Sequence, residues 1–166
     1  MQEIPKYLYH ATYGQLVKKI KSKGLGNTKR TYWEDSKPGV VYLADDPDIA
    51  ESYAEANENC PESYLDHIVI FKVDTSKLNK DKLFVDKNVN DDEIHTYEYY
   101  EIIPFNDLQW YTDPDEIKTI FEGVREKYPK FSNTADAVIQ TIYDQFNDHR
   151  LDTNMFYLHL SNEDIK

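Results

Sequence analysis

The sequence of 166 residues predicts an α+β fold with a mainly antiparallel β-sheet and flanking helices. Short runs of β-branched and aromatic residues, separated by Pro, Gly and polar residues, recur through the first 111 positions and are typical of strands. Helical stripes interrupt these runs early, and after residue 111 the pattern is mainly helical. We therefore expect a sheet domain over residues 1–111 and a C-terminal helical hairpin over 112–166 that packs on it.

Composition limits the classes of partner. Apolar residues make up 40% of the chain and aromatic residues 14%, which is enough for a folded core. Lys and Arg total 19 against 31 Asp and Glu, and the net charge of −12 opposes binding to nucleic acid or to an anionic membrane. The single cysteine, the absence of a signal-like N-terminus and the lack of a long apolar run favour the cytoplasm and no membrane association.

The first elements are a strand and a helix. Lys6–His10 alternates and is aromatic, so we expect a strand ending at His10 and a turn at Ala11 and Thr12. A helical stripe follows, and Gly24 stands where a C-capping glycine belongs. The polar loop after it carries two large rings, which form either a satellite cluster or a lid: Tyr32 and Trp33.

A strand, a capped turn and a helix follow in direct succession at residues 39–54. Val40–Leu43 is short, apolar and preceded by Pro-Gly, as strands often are. Asp45 or Asp46 is a good N-cap, with a proline suited to the first helical position. Tyr42 on the strand and Tyr53 on the helix, eleven residues later, can then project into one cleft.

Further strands and helices complete the predicted fold. The strongest strand signal is nearly continuous and predicts a central strand, and shorter ones follow it: Ile68–Asp74, Lys82–Asp86, Tyr97–Ile103 and Leu108–Tyr111. Amphipathic helices are expected after Asp113 and after Ser132 or Asn133.

Three polar features of the predicted sheet suggest a nucleotide site. His10 can donate a hydrogen bond to a ribose hydroxyl, the rings of Tyr42 and Tyr53 can hold a flat ring, and Glu98 can stabilise positive charge at an anomeric carbon. Such a set suits the breaking of an N-glycosidic bond. Each residue also has an ordinary structural role open to it: a histidine bonded to backbone, packed tyrosines and a solvated acid.

The order of motifs resembles the ADP-ribosyltransferase superfamily, in the branch related to poly(ADP-ribose) polymerases and diphtheria toxin. The resemblance covers about residues 6–111 and rests on the following motifs in order: His10-Ala11-Thr12, Gly24-Leu25, Val41-Tyr42-Leu43, Ala50 with Tyr53, Val73-Asp74 with Leu78, and Glu98 ahead of Ile103-Pro104. It implies a split β-sheet and NAD as the substrate.

The resemblance also implies a role for each matched residue. His10, Ala11 and Thr12 would hold the nicotinamide ribose and carboxamide, while Tyr42 matches the family's strand tyrosine. Tyr53 would stack on nicotinamide, and Glu98 would be catalytic, binding the ribose 2′-hydroxyl and polarising the leaving bond.

The sequence departs from the family pattern at two positions. Ala11 replaces the usual glycine, and Ala50 replaces a serine that bonds the carboxamide. Glu101 and Asp86 compete with Glu98 for the glutamate role, although Glu101 should point to the opposite sheet face.

The leading expectation is an NAD-dependent enzyme that transfers single ADP-ribose units to a macromolecule, a protein rather than a nucleic acid, and releases nicotinamide. One alternative is an inactive acidic interaction or inhibitor protein with the same fold. Another is an enzyme like the RNA 2′-phosphotransferases, which ranks lower because those enzymes use arginines around the phosphates. This chain has few arginines, and none lies in the predicted core motifs: Arg30, Arg125 and Arg150.

Overall fold

The computed structural model describes residues 3–28, 36–57, 59–65, 68–89 and 93–146. Contacts divide the chain into two compact units, Met1–Tyr111 and Thr112–Lys166. The rings of Tyr32 and Trp33, discussed above as a lid or satellite cluster, lie outside the described residues.

Six strands of the first unit form one sheet in which all neighbours are antiparallel. The strand order is β4-β5-β2-β1-β3-β6. The strands are β1 (Tyr7–Tyr13), β2 (Val41–Ala44), β3 (Ile68–Asp74), β4 (Leu83–Val85), β5 (Thr96–Tyr99) and β6 (Leu108–Tyr111). The α+β class with an antiparallel sheet is therefore confirmed, and β6 is an edge strand as predicted.

The described residues of this unit include the helices α1 (Val17–Lys23), α2 (Pro47–Glu55) and α3 (Glu62–Leu65). Asp46 caps α2, since its side chain accepts from the backbone N–H groups of Asp48 and Ile49, and Pro47 takes the first helical position as predicted. The sequence did not predict α3, which is a single helical turn before β3.

The sheet is joined at its centre by a single pair of residues. β1 pairs with β3 along all seven of its residues, but its register with β2 contains only Tyr9 opposite Ala44. The predicted turn at Ala11 and Thr12 is wrong, because both residues continue β1 as partners of β3. The sheet thus consists of two halves, β4-β5-β2 and β1-β3-β6, which meet at what we call the seam, the junction of β1 and β2.

Different helices pack on the two faces of the sheet. One face is the main core, where α1 packs through Val17 and Ile20 onto buried strand residues: Leu8, Val41, Leu43, Phe71, Val73, Tyr97 and Tyr99. Residues alternate between faces along a strand, so Tyr9, Tyr42 and Glu98 lie on the other face. α2 covers part of that second face, where the hydroxyl of Tyr13 donates to the carbonyl of Ala54 at 2.9 Å.

A close backbone contact fixes the end of α1. Gly24 has a φ of +80°, and a Cβ there would lie 2.5 Å from Ile102 Cγ2 and 2.9 Å from the Ile103 carbonyl oxygen. Leu25 and Ile103 then exchange two backbone hydrogen bonds of 2.9 and 3.0 Å. The prediction that β5 runs to Ile103 is wrong, since β5 ends at Tyr99 and Ile103 pairs with Leu25 instead.

The second unit contains α4 (Pro114–Lys127) and α5 (Asp136–Phe146). α4 begins directly after Asp113, as the sequence predicted, and the Asp113 side chain caps it by accepting from two backbone N–H groups. α5 begins later than a cap at Ser132 or Asn133 would place it. The two helices and the segment between them share a cluster of buried residues: Ile120, Phe121, Val124, Phe131 and Ile139. The sequence after residue 146, with its apolar stretch at residues 155–160, lies outside the described residues.

Candidate active site

The candidate site is built around Glu98 in the middle of β5. In the sheet register Glu98 stands opposite Tyr42 of β2 on one side and Phe84 of β4 on the other. Directly opposed residues of an antiparallel pair share a face, with Cβ atoms about 5 Å apart. The register therefore brings Tyr42 and Glu98 together, as the sequence predicted, and adds Phe84 beside them.

Glu98 is buried, with an exposed fraction of 6%. Both of its carboxylate oxygens accept hydrogen bonds from Lys37 Nζ at 3.0 Å. The hydroxyl of Tyr100 donates to Oε2 of the same carboxylate at 2.6 Å. A carboxylate this well bonded is held in one orientation.

The surroundings of Glu98 favour its charged form. Burial by itself would raise the pKa of the Glu98 carboxyl, but the hydrogen bonds from Tyr100 and Lys37 and the positive charge of Lys37 outweigh burial. The pKa of Glu98 therefore lies below its usual range. At neutral pH the site holds a buried carboxylate anion.

Lys37 contacts three side chains of this site. Besides Glu98, its ammonium group donates to the Tyr100 hydroxyl at 2.8 Å, and its backbone N–H donates to the Tyr42 hydroxyl at 2.9 Å. Its side chain is 52% exposed. The hydrogen bonds with Tyr100 and Glu98 raise the pKa of Lys37 above its usual value, so the group is a cation throughout the physiological range.

His10 lies at the seam, and its ring contacts the backbone of β2. Its Nδ1 is 2.7 Å from the carbonyl oxygen of Tyr42, and a carbonyl can only accept, so Nδ1 carries the proton. Burial of the ring lowers the pKa of His10 despite that hydrogen bond. The ring is neutral at pH 7, and its Nε2 is a hydrogen-bond acceptor. The expectation that His10 donates to a ligand is therefore replaced by one in which it accepts.

Register alone does not bring His10 to the face of Glu98. His10 alternates with Tyr9, so a continuous ladder between β1 and β2 would turn its side chain toward the opposite face. Because the ladder is one pair long, the His10 ring instead reaches the Tyr42 carbonyl at the seam.

Tyr53 on α2 is 38% exposed, and burial of the remainder raises the pKa of its hydroxyl. The negative charge of Asp86 adds to that rise. The pKa of Tyr42 is also raised, mainly by burial, and Asp86 makes a smaller contribution to that shift. Both tyrosines are thus within electrostatic range of the Asp86 carboxylate.

Ala11 and Thr12 are placed differently from each other. Ala11 is partly buried opposite Ile70, whereas Thr12 is buried, with 6% exposure, opposite Val69. The Thr12 side chain faces the interior. We therefore expect these two residues to contact a ligand through their backbone groups.

The two competing carboxylates have other partners. Glu101 is exposed and lies beyond the end of β5, so the strand alternation from which its direction was expected does not reach it. It accepts from the Asn79 side chain and from the hydroxyl of Tyr99, which alternates with Glu98 and faces the other side of the sheet. Asp86 is buried, and its side chain accepts from the backbone N–H of Asn88 and lies 3.5 Å from the Thr96 hydroxyl oxygen. Both carboxylates therefore have structural partners.

Sequence reasoning missed Lys37 and Tyr100. Tyr100 follows Glu98 by two residues, and the two-residue period of a strand could have placed it on the same face. No comparable signal exists for Lys37, which is 61 positions from Glu98 and enters the site from a loop.

Aromatic side chains border Glu98 at the surface. Phe84 is 51% exposed and Tyr100 39% exposed, and their rings meet edge to face with centroids 5.6 Å apart. The site therefore combines a buried anion with exposed ring surface, which can hold a flat, partly cationic ligand.

Comparison with models of known families and with curated proteins found no match for this chain. Within the described ranges, no group of three or more His, Cys, Asp or Glu side chains is arranged to hold a metal ion. No helix in the part of the chain that the structure describes is long and apolar enough to cross a bilayer. Any functional assignment therefore depends on the residues of the site.

Proposed function

We propose that this protein is an NAD-dependent ADP-ribosyltransferase with Glu98 as its catalytic residue. The observation that carries the proposal is the buried, ionised Glu98 carboxylate directly opposite Tyr42, beside a sheet seam that His10 spans. The same three residues form the His-Tyr-Glu series on which the family resemblance rests. An ADP-ribosyltransferase-type fold for residues 1–111 is part of the proposal.

The seam supports the binding of a nicotinamide ring. After Tyr9 the register of the sheet does not pair β1 with β2, so backbone N–H and C=O groups on this side of β1 are candidates to bond the nicotinamide carboxamide. A carboxamide carries one acceptor and two donors and can complete such an edge. Tyr53, exposed on α2, offers a ring for stacking.

Glu98 and His10 would hold the nicotinamide ribose. Glu98 is an acceptor for the 2′-hydroxyl, and Nε2 of His10 accepts from a ribose hydroxyl. As the bond between the anomeric carbon and nicotinamide breaks, its electron pair leaves with nicotinamide. The positive charge then grows on the ribose, where the Glu98 anion stabilises it.

The acceptor completes the transfer. Its nucleophile forms the new bond to the anomeric carbon and loses a proton to water or to a base. The net charge of −12 favours a neutral or basic protein over a nucleic acid as this acceptor.

The test is nicotinamide release from NAD by wild type and Glu98→Gln, measured by chromatography. The substitution keeps the shape and the hydrogen-bond acceptor but removes the charge, so we expect release to fall by about a hundredfold or more while NAD binding is largely kept. Glu101→Gln is the matched control, since it removes an exposed carboxylate beyond the end of β5 and should release nicotinamide like wild type.

Near-wild-type release by Glu98→Gln would contradict the assignment of Glu98. Binding of NAD without release by wild type would favour a second candidate, an inactive interaction protein with this fold. One observation favours that candidate, namely that Lys37 and Tyr100 already satisfy the Glu98 carboxylate.

A further inference from the structure

Lys37 is hydrogen-bonded to the carboxylate oxygens of Glu98, which the proposed function needs in order to bind the ribose. Its ammonium group bonds both oxygens of Glu98 at 3.0 Å, and Tyr100 bonds one of them. A ribose hydroxyl that approaches Glu98 meets a carboxylate that already accepts hydrogen bonds from Lys37. The ligand must therefore share the carboxylate with Lys37 or displace it.

Of the two charged partners, Lys37 is the one that can move. The Glu98 side chain is 8% exposed and belongs to an interior strand, whereas the Lys37 side chain is 52% exposed. A lysine ammonium sits on a flexible stem and is readily hydrated. The ribose hydroxyls of an incoming ligand would replace its hydrogen bonds to the buried carboxylate, which offsets the cost of its departure. Tyr100 still donates to Oε2 after Lys37 leaves and keeps the carboxylate oriented.

The backbone of Lys37 stays at the site even when its side chain swings away. Its N–H donates to the Tyr42 hydroxyl at 2.9 Å, and that bond does not depend on the position of the ammonium group. A displaced ammonium group therefore stays within one side-chain length of Tyr42 and remains available to a ligand bound there.

Charge balance indicates which group the displaced Lys37 ammonium binds. NAD brings a diphosphate to a face that already holds Glu98 and Asp86, on a chain of net charge −12. Without a cation, the approach of the diphosphate would be repulsive. A displaced Lys37 ammonium is a cation of the required charge, and phosphate oxygens are good acceptors for it.

We propose that Lys37 exchanges partners when the dinucleotide binds: it neutralises Glu98 in the empty site and binds the diphosphate in the occupied one. This inference rests on the proposed function, because the ligand is taken to be NAD. It makes Lys37 a binding residue that selects ligands with a diphosphate over plain nucleosides.

The test compares two ligands with Lys37→Met, Lys37→Arg and wild type. NAD and nicotinamide riboside share the glycosidic bond and the ribose hydroxyls, but only NAD has the diphosphate. Calorimetry or NMR titration gives each dissociation constant, with the riboside taken into the millimolar range. Lys18→Met, an exposed lysine of α1 on the opposite side of the sheet, controls for the change in net charge.

We expect Lys37→Met to weaken NAD binding by about tenfold or more and to leave riboside binding unchanged or tighter, because only the dinucleotide loses a partner. Lys37→Arg keeps a cation and should keep NAD affinity within a fewfold of wild type. If the riboside binds too weakly to measure, the NAD titrations of the two Lys37 variants decide alone.

Other results overturn the inference. Unchanged NAD affinity in Lys37→Met, or equal changes for both ligands, would show that Lys37 does not bind the diphosphate, while leaving the proposed function intact. Tighter binding of both ligands would make Lys37 a competitor only. Failure of NAD to bind wild type at all would instead overturn the proposed function and this inference together.

Discussion

At the scale of single residues, the candidate site is defined by hydrogen bonds that fix protonation states. Tyr100 and Lys37 hold Glu98 as an anion although it is buried. The Tyr42 carbonyl fixes the proton of His10 on Nδ1 and leaves Nε2 as an acceptor. The site therefore offers two acceptors to a ligand rich in hydroxyl groups.

The role of His10 leads to a prediction about binding. His10→Ala removes the acceptor at Nε2 and the link across the seam, so we expect the dissociation constant for NAD to rise about tenfold, the usual effect of one hydrogen bond. Calorimetric titration measures it. His95→Ala, which removes a partly buried histidine beside Asp45, serves as the control. Equal affinity of His10→Ala and wild type would exclude His10 from the ligand site.

At the scale of elements, the lengths of strands decided where the site could form. The sequence predicted that β1 ends at His10, but pairing with β3 carries it to Tyr13. The sequence also predicted that β5 extends to Ile103. In the structure β5 ends at Tyr99, and Ile103 pairs with Leu25 instead. In both cases a long-range pairing overrode the local pattern.

The cap of α2 was predicted from local sequence, and its energy can be tested. Asp46→Ala removes an acceptor for two backbone N–H groups and should lower the free energy of unfolding by about 1 kcal/mol, as measured in urea. Asp46→Asn retains a capping oxygen and should cost only a fraction of that. Equal losses in the two variants would mean that the hydrogen bonds of the cap are not what stabilises the start of α2.

At the scale of the whole molecule, the partly buried His10 predicts a pH dependence of stability. Its pKa is lower in the folded chain than its usual 6.5, so the unfolded chain binds the proton more readily. The contribution of His10 is therefore complete above about pH 6.5 and is lost as the pH falls through the folded pKa.

Comparison with a variant isolates this contribution from the other groups that titrate. We expect the difference in unfolding free energy between wild type and His10→Ala to be larger at pH 7.5 than at pH 5.5, in urea titrations at both values. A difference that grows on acidification would mean that folding raises the pKa of His10, contrary to the structure.

The sequence by itself determined the features that depend on neighbouring residues: the α+β class, the Asp46-Pro47 start of α2 and the glycine at the end of α1. Periodicity, capping and backbone conformation act over a few positions, so they can be read from a single chain. The tertiary structure alone decided that β1 and β2 meet at one residue pair, that His10 bonds the Tyr42 carbonyl, and that Lys37 reaches Glu98. These contacts join residues 32 to 61 positions apart, and their geometry is set by how the strands pair and by the path of a loop.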